Sequence, residues 1–155
     1  KYGFKTWAEK QAQYWRQVLH LHPCARLPSE ALARHLKVRI IGPADVPGIS
    51  SEMVAILLGT GAAEWSAAAF ADGDGHLVIE NVSHSVKRRE ATRMHEIAHV
   101  ICHHKPPGFV EVPGLGVMTR DFNADQESEA DWLGGCLHLP IPALTWALKQ
   151  GFNTA

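Results

Sequence analysis

The sequence predicts an α+β fold. Segments with apolar residues three and four apart lie toward both ends of the chain, and between them sits a pair of apolar strand-like segments around Asp72-Gly73-Asp74-Gly75. Apolar residues make up 46% and charged residues 20% of the chain, a balance that favours a packed core. At 155 residues, the chain matches one compact domain, so a single domain over residues 1–155 with a single site is expected.

In order along the chain, residues 6–21 place Trp7, Tyr14, Trp15, Val18 and Leu19 on one helical face, and His22-Pro23 ends the helix. At that spacing the three aromatics read as core. A short helix follows Pro28-Ser29, with Ser29 as its cap and Leu32, Ala33 and Leu36 as its apolar repeat. Residues 37–41 alternate as a strand, 42–51 form a Pro- and Gly-containing loop, and 52–58 are apolar enough for a short helix or a buried strand, with helix favoured. Residues 65–71 and 76–82 form a hairpin, because the turn between them favours positive φ. Calcium binding by Asp72 and Asp74 is the alternative there, but the EF-hand loop spacing is absent.

Ser85 opens a helix running to about residue 104, closed by Pro106-Pro107. Residues 105–122 carry paired prolines and glycines with little periodicity and read as a long loop. Asn123 or Asp125 caps a helix to about residue 137, and residues 141–150 start another after Pro140.

Fifteen Lys and Arg oppose sixteen Asp and Glu, which gives no general electrostatic reason to bind nucleic acid or an anionic membrane. Lys87, Arg88, Arg89 and Arg93 form a basic run, read as a solvated helix face. Cys24, Cys102 and Cys136 are odd in number and widely spaced, which argues against a disulfide framework and favours a reducing cytoplasm. No apolar run approaches a membrane span, and no signal peptide is visible at the start.

The chemistry concentrates at His95-Glu96-Ile97-Ala98-His99, an H-E-x-x-H motif inside the predicted helix. A four-residue spacing puts both imidazoles on one helical face, where they can share one tetrahedral zinc ion. Glu96, beside the first ligand, is placed as general base toward a water whose pKa zinc lowers to about 7. A catalytic site needs a third protein ligand and an open position. Downstream, Glu127 and Asp131 share a face of the next helix, so Glu127 is the expected ligand and Asp131 orients a histidine, His95, through its other ring N–H. Glu129 is the competing ligand, but it points about 200° around the helix from Glu127.

His103 extends the histidine stripe by four residues, about 6 Å further along the axis, too far for the same ion. His20, His22, His35, His76 and His84 read as surface or capping residues. No second donor for an oxyanion stands out among His103, His104, Arg120 and His138.

With these residues in place, the sequence resembles the ImmA/IrrE family of metallopeptidases. The resemblance runs in order through Phe4-Lys5-Thr6-Trp7, Leu32-Ala33-x-x-Leu36, Trp65-Ser66-Ala67, Met94 to His99, Glu127-x-x-Ala130-Asp131 and Leu137-x-Leu139-Pro140. It covers about residues 3–150, and only the two metal helices are motif-grade. The resemblance implies a gluzincin-like fold, a small twisted sheet packed against an active-site helix and a glutamate-bearing helix. It implies His95, His99 and Glu127 as metal ligands and Glu96 as base; the residues themselves leave manganese or iron open beside zinc. It also implies a helix-turn-helix transcriptional repressor as protein substrate, derepression of stress or mobile-element genes, and a longer parent chain. A repressor-binding module with a merely structural metal is the competing reading.

Overall fold

The computed structural model describes residues 2–104, 109–112, 117–120 and 123–152, the strands within 109–120 as backbone only. Its first helix, α1 (Phe4–Val18), turns Ala8 and Ala12 inward, both fully buried. Trp7 and Trp15 flank this alanine face, but Tyr14 is 51% exposed, so the aromatic stripe is only partly core. Small side chains occupy the centre of the face, where α1 packs against a later helix. Arg16 is buried with them, and its three donors reach the carbonyls of Ala25, Ala12 and Leu137, each at 2.9 Å. Burial pulls this guanidinium below its ordinary pKa, and the carbonyls satisfy its hydrogen bonds.

Helix α2 (Ser29–His35) corrects one expectation. Pro28 occupies the cap position, while the buried Ser29 hydroxyl donates to Glu90 Oε1 at 3.0 Å. Strand β1 (Val38–Ile41) follows, then a 3₁₀ turn at Pro43–Asp45 and α3 (Ser51–Leu58), capped by Ser50 Oγ accepting from Met53 N–H. Strands β2 (Ala67–Asp72) and β3 (Gly75–Glu80) form the expected hairpin, with Asp72 opposite Gly75 and Gly73 at φ 60°. The sheet order is β1-β3-β2, with β1 parallel and β2 antiparallel to the central β3. Asp72 pairs with Arg39 at 2.9 Å and Asp74 with Lys37, so protein cations neutralise both turn carboxylates.

Helix α4 (Val86–Ile101) is capped by Ser85, whose hydroxyl accepts from Arg88 N–H. The region read as a long loop contains a further antiparallel pair, β4 (Phe109–Val112) and β5 (Val117–Arg120), with Phe109 opposite Arg120. Each of these strands is four residues long, too short to give a periodic signal. The expected Pro106-Pro107 stop lies outside the described residues. Helix α5 (Ala124–His138) starts at Asn123, whose Oδ1 accepts from the N–H groups of Asp125 and Gln126. Helix α6 (Ile141–Lys149) begins where Glu9 of α1 accepts from Ile141 N–H at 3.1 Å.

Helix α5 packs on both α4 and α1, and α4 packs on β2 and β3. The shared core draws Leu32 and Val38 from the first part of the chain, Val78 from β3, Met94 and Ile97 from α4, and Leu133 and Leu137 from α5. No described helix is long and apolar enough to cross a membrane.

The basic run is not the solvated face its composition suggested. Glu80, 3% exposed at the end of β3, accepts from Arg93 Nε at 2.8 Å, Arg93 Nη2 at 2.6 Å and Arg89 Nη2 at 2.5 Å. Arg93 also donates to Glu30 at 2.9 Å, and Arg88 donates to Ser66 Oγ at 3.0 Å. Three of the four cations thereby tie α4 to the sheet side of the molecule. His84, read as a surface or capping residue, is half-buried and places Nε2 at 3.1 Å from the Ala62 carbonyl.

Candidate metal centre

The buried face of α4 includes Met94, Ile97, Ala98 and Ile101, which leaves His95 and His99 on a flank directed toward α5. Helix α5 buries Ala130, Leu133, Gly134 and Leu137, the packing side expected from their spacing. At Gly134 the two helices come unusually close. A Cβ there would lie 3.2 Å from both Met94 O and His95 N, and 3.3 Å from His95 Cα. This contact sits at the backbone of the first motif histidine, so it sets how near α5's carboxylates come to it.

Three predicted residues meet. His95 Nε2 lies 3.0 Å from His99 Nε2 and 3.2 Å from Glu127 Oε2, and His99 Nε2 lies 3.6 Å from Glu127 Oε1. Asp131 Oδ1 is 2.8 Å from His95 Nδ1. With Nδ1–H donating to Asp131, a neutral His95 presents only a lone pair at Nε2. That lone pair faces a carboxylate oxygen and a second imidazole nitrogen, an arrangement of acceptors that a cation between them would stabilise. Two atoms bound at roughly 2.0–2.1 Å to one tetrahedral ion are about 3.3 Å apart. The observed 3.0, 3.2 and 3.6 Å separations bracket that value. Two imidazoles and one carboxylate thus form a set that fits a catalytic metal with an open side.

Glu96 is 4% exposed and, with His95, lines a cleft shared with Thr92 and with Trp65, Ser66 and Ala67 at the start of β2. The motif helix therefore presents its carboxylate beside a sheet edge. Glu129 does not join the triad; its Oε2 lies 3.2 Å from His104 Nε2, and His104 Nδ1 lies 2.9 Å from His99 Nδ1. The helix expected to reach about residue 104 ends at Ile101, so helical spacing does not give the position of His104. With both nitrogens engaged, His104 is not available as an oxyanion donor. His103 is exposed on the turn after α4, and the Arg120 side chain lies outside the described residues. His138 ends α5, eleven residues beyond Glu127, about 16 Å along a helix axis. Cys136 is buried against Glu9, and burial first, then that carboxylate, pushes its thiol up to about 12.

Gly134→Ala tests the close helix contact. Alanine favours a helix over glycine by roughly 1 kcal/mol, but here its Cβ must displace backbone by a few tenths of an ångström. The expected result is several-fold weaker metal binding in a chelator competition. Gly135→Ala, where a Cβ meets nothing within 4 Å, should bind as the parent does. Equal affinity in both variants would detach the site from the helix spacing.

A mixed three-stranded sheet beside a histidine-bearing helix and a carboxylate-bearing helix is a zincin-like α+β fold. The chain belongs to the IrrE N-terminal-like domain family, Peptidase_M78, whose family model matches residues 60–155. The matched span contains both site helices and the β2–β3 hairpin, and the family is one of metal-dependent peptidases. No curated protein and no solved structure matches the chain.

Proposed function

We propose that the protein is a zinc-dependent endopeptidase that cleaves a helix-turn-helix transcriptional repressor in the cytoplasm and so derepresses stress or mobile-element genes. The observation that carries the peptidase reading is the convergence of His95, His99 and Glu127 next to the buried Glu96, at the mouth of a cleft bordered by a strand edge. The repressor and the gene response rest on kinship with the family, and the cytoplasmic setting on the three widely spaced, unbridged cysteines. The whole chain acts as one domain in this reading. Zinc suits two imidazoles and a carboxylate, and manganese or iron would accept the same set.

His95, His99 and Glu127 hold the ion, and Asp131 keeps His95 in the tautomer whose Nε2 is a ligand. A bound zinc ion would supply Lewis acidity, polarising the scissile carbonyl, acidifying a water and offsetting oxyanion charge. Glu96 takes the proton from the attacking water and returns it to the leaving amine. Burial of its carboxylate keeps that transfer away from bulk solvent.

The substrate backbone pairs with β2. Asn81 N–H donates to Ser66 O at 2.9 Å, and antiparallel alternation from that pair turns the N–H and C=O groups of Ala67, Ala69 and Ala71 outward. An extended peptide can add there as a strand. Ala69→Pro or Ala67→Pro removes an outward donor without breaking a β2–β3 bond. Each should raise KM several-fold with kcat little changed; unchanged KM for both would take the docking site off this edge.

The reading is tested by exposing the source cytoplasm to the zinc-loaded protein or to Glu96→Gln and comparing new protein N-termini. Cuts made only by the parent protein, in one or a few targets, are expected. Matching samples from two zinc-holding proteins would favour the non-catalytic binding module, for which a buried base beside the metal has no purpose.

A further inference from the structure

The two histidines of the triad are anchored differently at their other nitrogens. Asp131, with a side chain 76% exposed, takes Nδ1 of His95. Behind His99 stands a second imidazole, His104, and behind that Glu129; their side chains are only 6% and 20% exposed. We propose that His104 and Glu129 are positioning residues that fix His99 as the tautomer whose Nε2 can hold the metal, an inference that rests on the reading of His99 as a ligand.

The assignment of protons runs from the carboxylate inward. Ionised Glu129 only accepts, so His104 Nε2, 3.2 Å away, carries the hydrogen. Neutral imidazole has one N–H, which makes His104 Nδ1 an acceptor. The hydrogen between the two Nδ1 atoms, 2.9 Å apart, therefore belongs to His99. His99 is then left with its lone pair at Nε2, the atom that faces His95 and Glu127. A single carboxylate thus dictates the state of a ligand through one intervening imidazole.

The backbone supplies the placement. His104 N–H donates to His99 O at 3.0 Å and His103 N–H to Val100 O at 3.1 Å, with His103 at φ 55°. This is a Schellman reversal at the end of α4, and it folds residue 104 back over residue 99. His103, a non-glycine residue in the left-handed position, serves that reversal. Glu129, two residues along α5 from Glu127, supplies the carboxylate that meets His104.

The test is Co²⁺ binding to the full chain, read by chelator competition and by the visible spectrum of the bound ion. His104→Phe keeps a ring but removes the acceptor, and Glu129→Ala removes the carboxylate. Each is expected to weaken binding by about 10–100-fold, the usual effect of losing a partner to a ligand histidine, and to alter the spectrum. His104→Gln, whose amide oxygen can accept from His99, should restore most of the affinity. Parent-like affinity and spectrum in both His104→Phe and Glu129→Ala would overturn the proposal. His99→Ala separates it from the reading beneath it: if His99→Ala still binds Co²⁺ as the parent does, the metal centre itself is misassigned. Cys102 Sγ lies within 4.8 Å of the His104 and Glu129 donor atoms. A second Co²⁺ with a thiolate charge-transfer band, lost in Cys102→Ser, would also overturn the proposal, because His104 Nε2 would then bind an ion instead of donating to Glu129.

Discussion

Glu96→Gln should retain one metal ion per chain and lose turnover by about 10²–10⁴-fold, the range that a positioned general acid–base contributes. The substitution is nearly isosteric, and Glu96 is not one of the three converging ligand groups, so affinity for the ion should stay close to that of the parent. The amide cannot accept a proton from water at neutral pH, and it cannot hand one to a leaving amine. A fall in kcat with KM little moved is therefore expected. Matched kcat in the two proteins, measured at equal metal content, would remove Glu96 from the mechanism. Loss of the metal in Glu96→Gln would instead show that the carboxylate supports the site.

The second large effect concerns stability. Arg93→Met should destabilise the fold by roughly 3–5 kcal/mol, because it strips a buried carboxylate of most of its compensation. Glu80 is 3% exposed and accepts two of its hydrogen bonds from Arg93, with only Arg89 remaining after the substitution. For a chain of this size that corresponds to a fall in Tm of about 6–20 °C by calorimetry. A change under about 1 kcal/mol would mean that the ion pair behaves as an exposed one. Pairing Arg93→Met with Glu80→Gln should recover part of the loss, since the uncompensated charge is then gone.

The same pair sets an acid limit. Burial alone would raise the Glu80 pKa, but hydrogen bonds and charge from Arg93 and Arg89 outweigh it, and the net shift is downward. A carboxylate with a depressed folded pKa contributes stability that is fully present above its unfolded value, about 4.3, and is lost as pH falls through the folded value. Arg93 is shifted upward by Glu80 and stays charged throughout. Denaturant titrations below pH 5 should show the parent losing this contribution and Arg93→Met, which lacks most of it, showing a shallower acid dependence.

Much of the site is legible in the chain because helical spacing is a local rule. His95 and His99 four apart, Glu127 and Asp131 four apart, and the small or apolar Ala130, Leu133, Gly134 and Leu137 between them fix which flank of each helix carries donors and which side packs. The hairpin is legible for the same reason, since Asp72-Gly73-Asp74-Gly75 is short-range turn chemistry. Local rules fail where a partner is distant. Ser29 reads as a cap, yet its hydroxyl meets Glu90, sixty-one residues away, and the buried Arg16, which no spacing in its own helix marks, closes on Leu137 O, 121 residues away. The basic run reads as solvated because nothing near it in sequence announces that Glu80 will be buried beneath it.

The sequence by itself determined the residue types and spacing that can hold an ion, the helices that carry them, and the α+β class. Tertiary structure alone decided that the two helices approach closely enough at Gly134 to join His95 to Asp131, that Ala67 at the start of β2 borders the cleft of Glu96, and that a turned-back helix end sets His104 and Glu129 behind His99. The division is physical: periodicity within one helix is set by backbone geometry over a few residues, whereas the meeting of two elements depends on burial and packing summed over the whole chain.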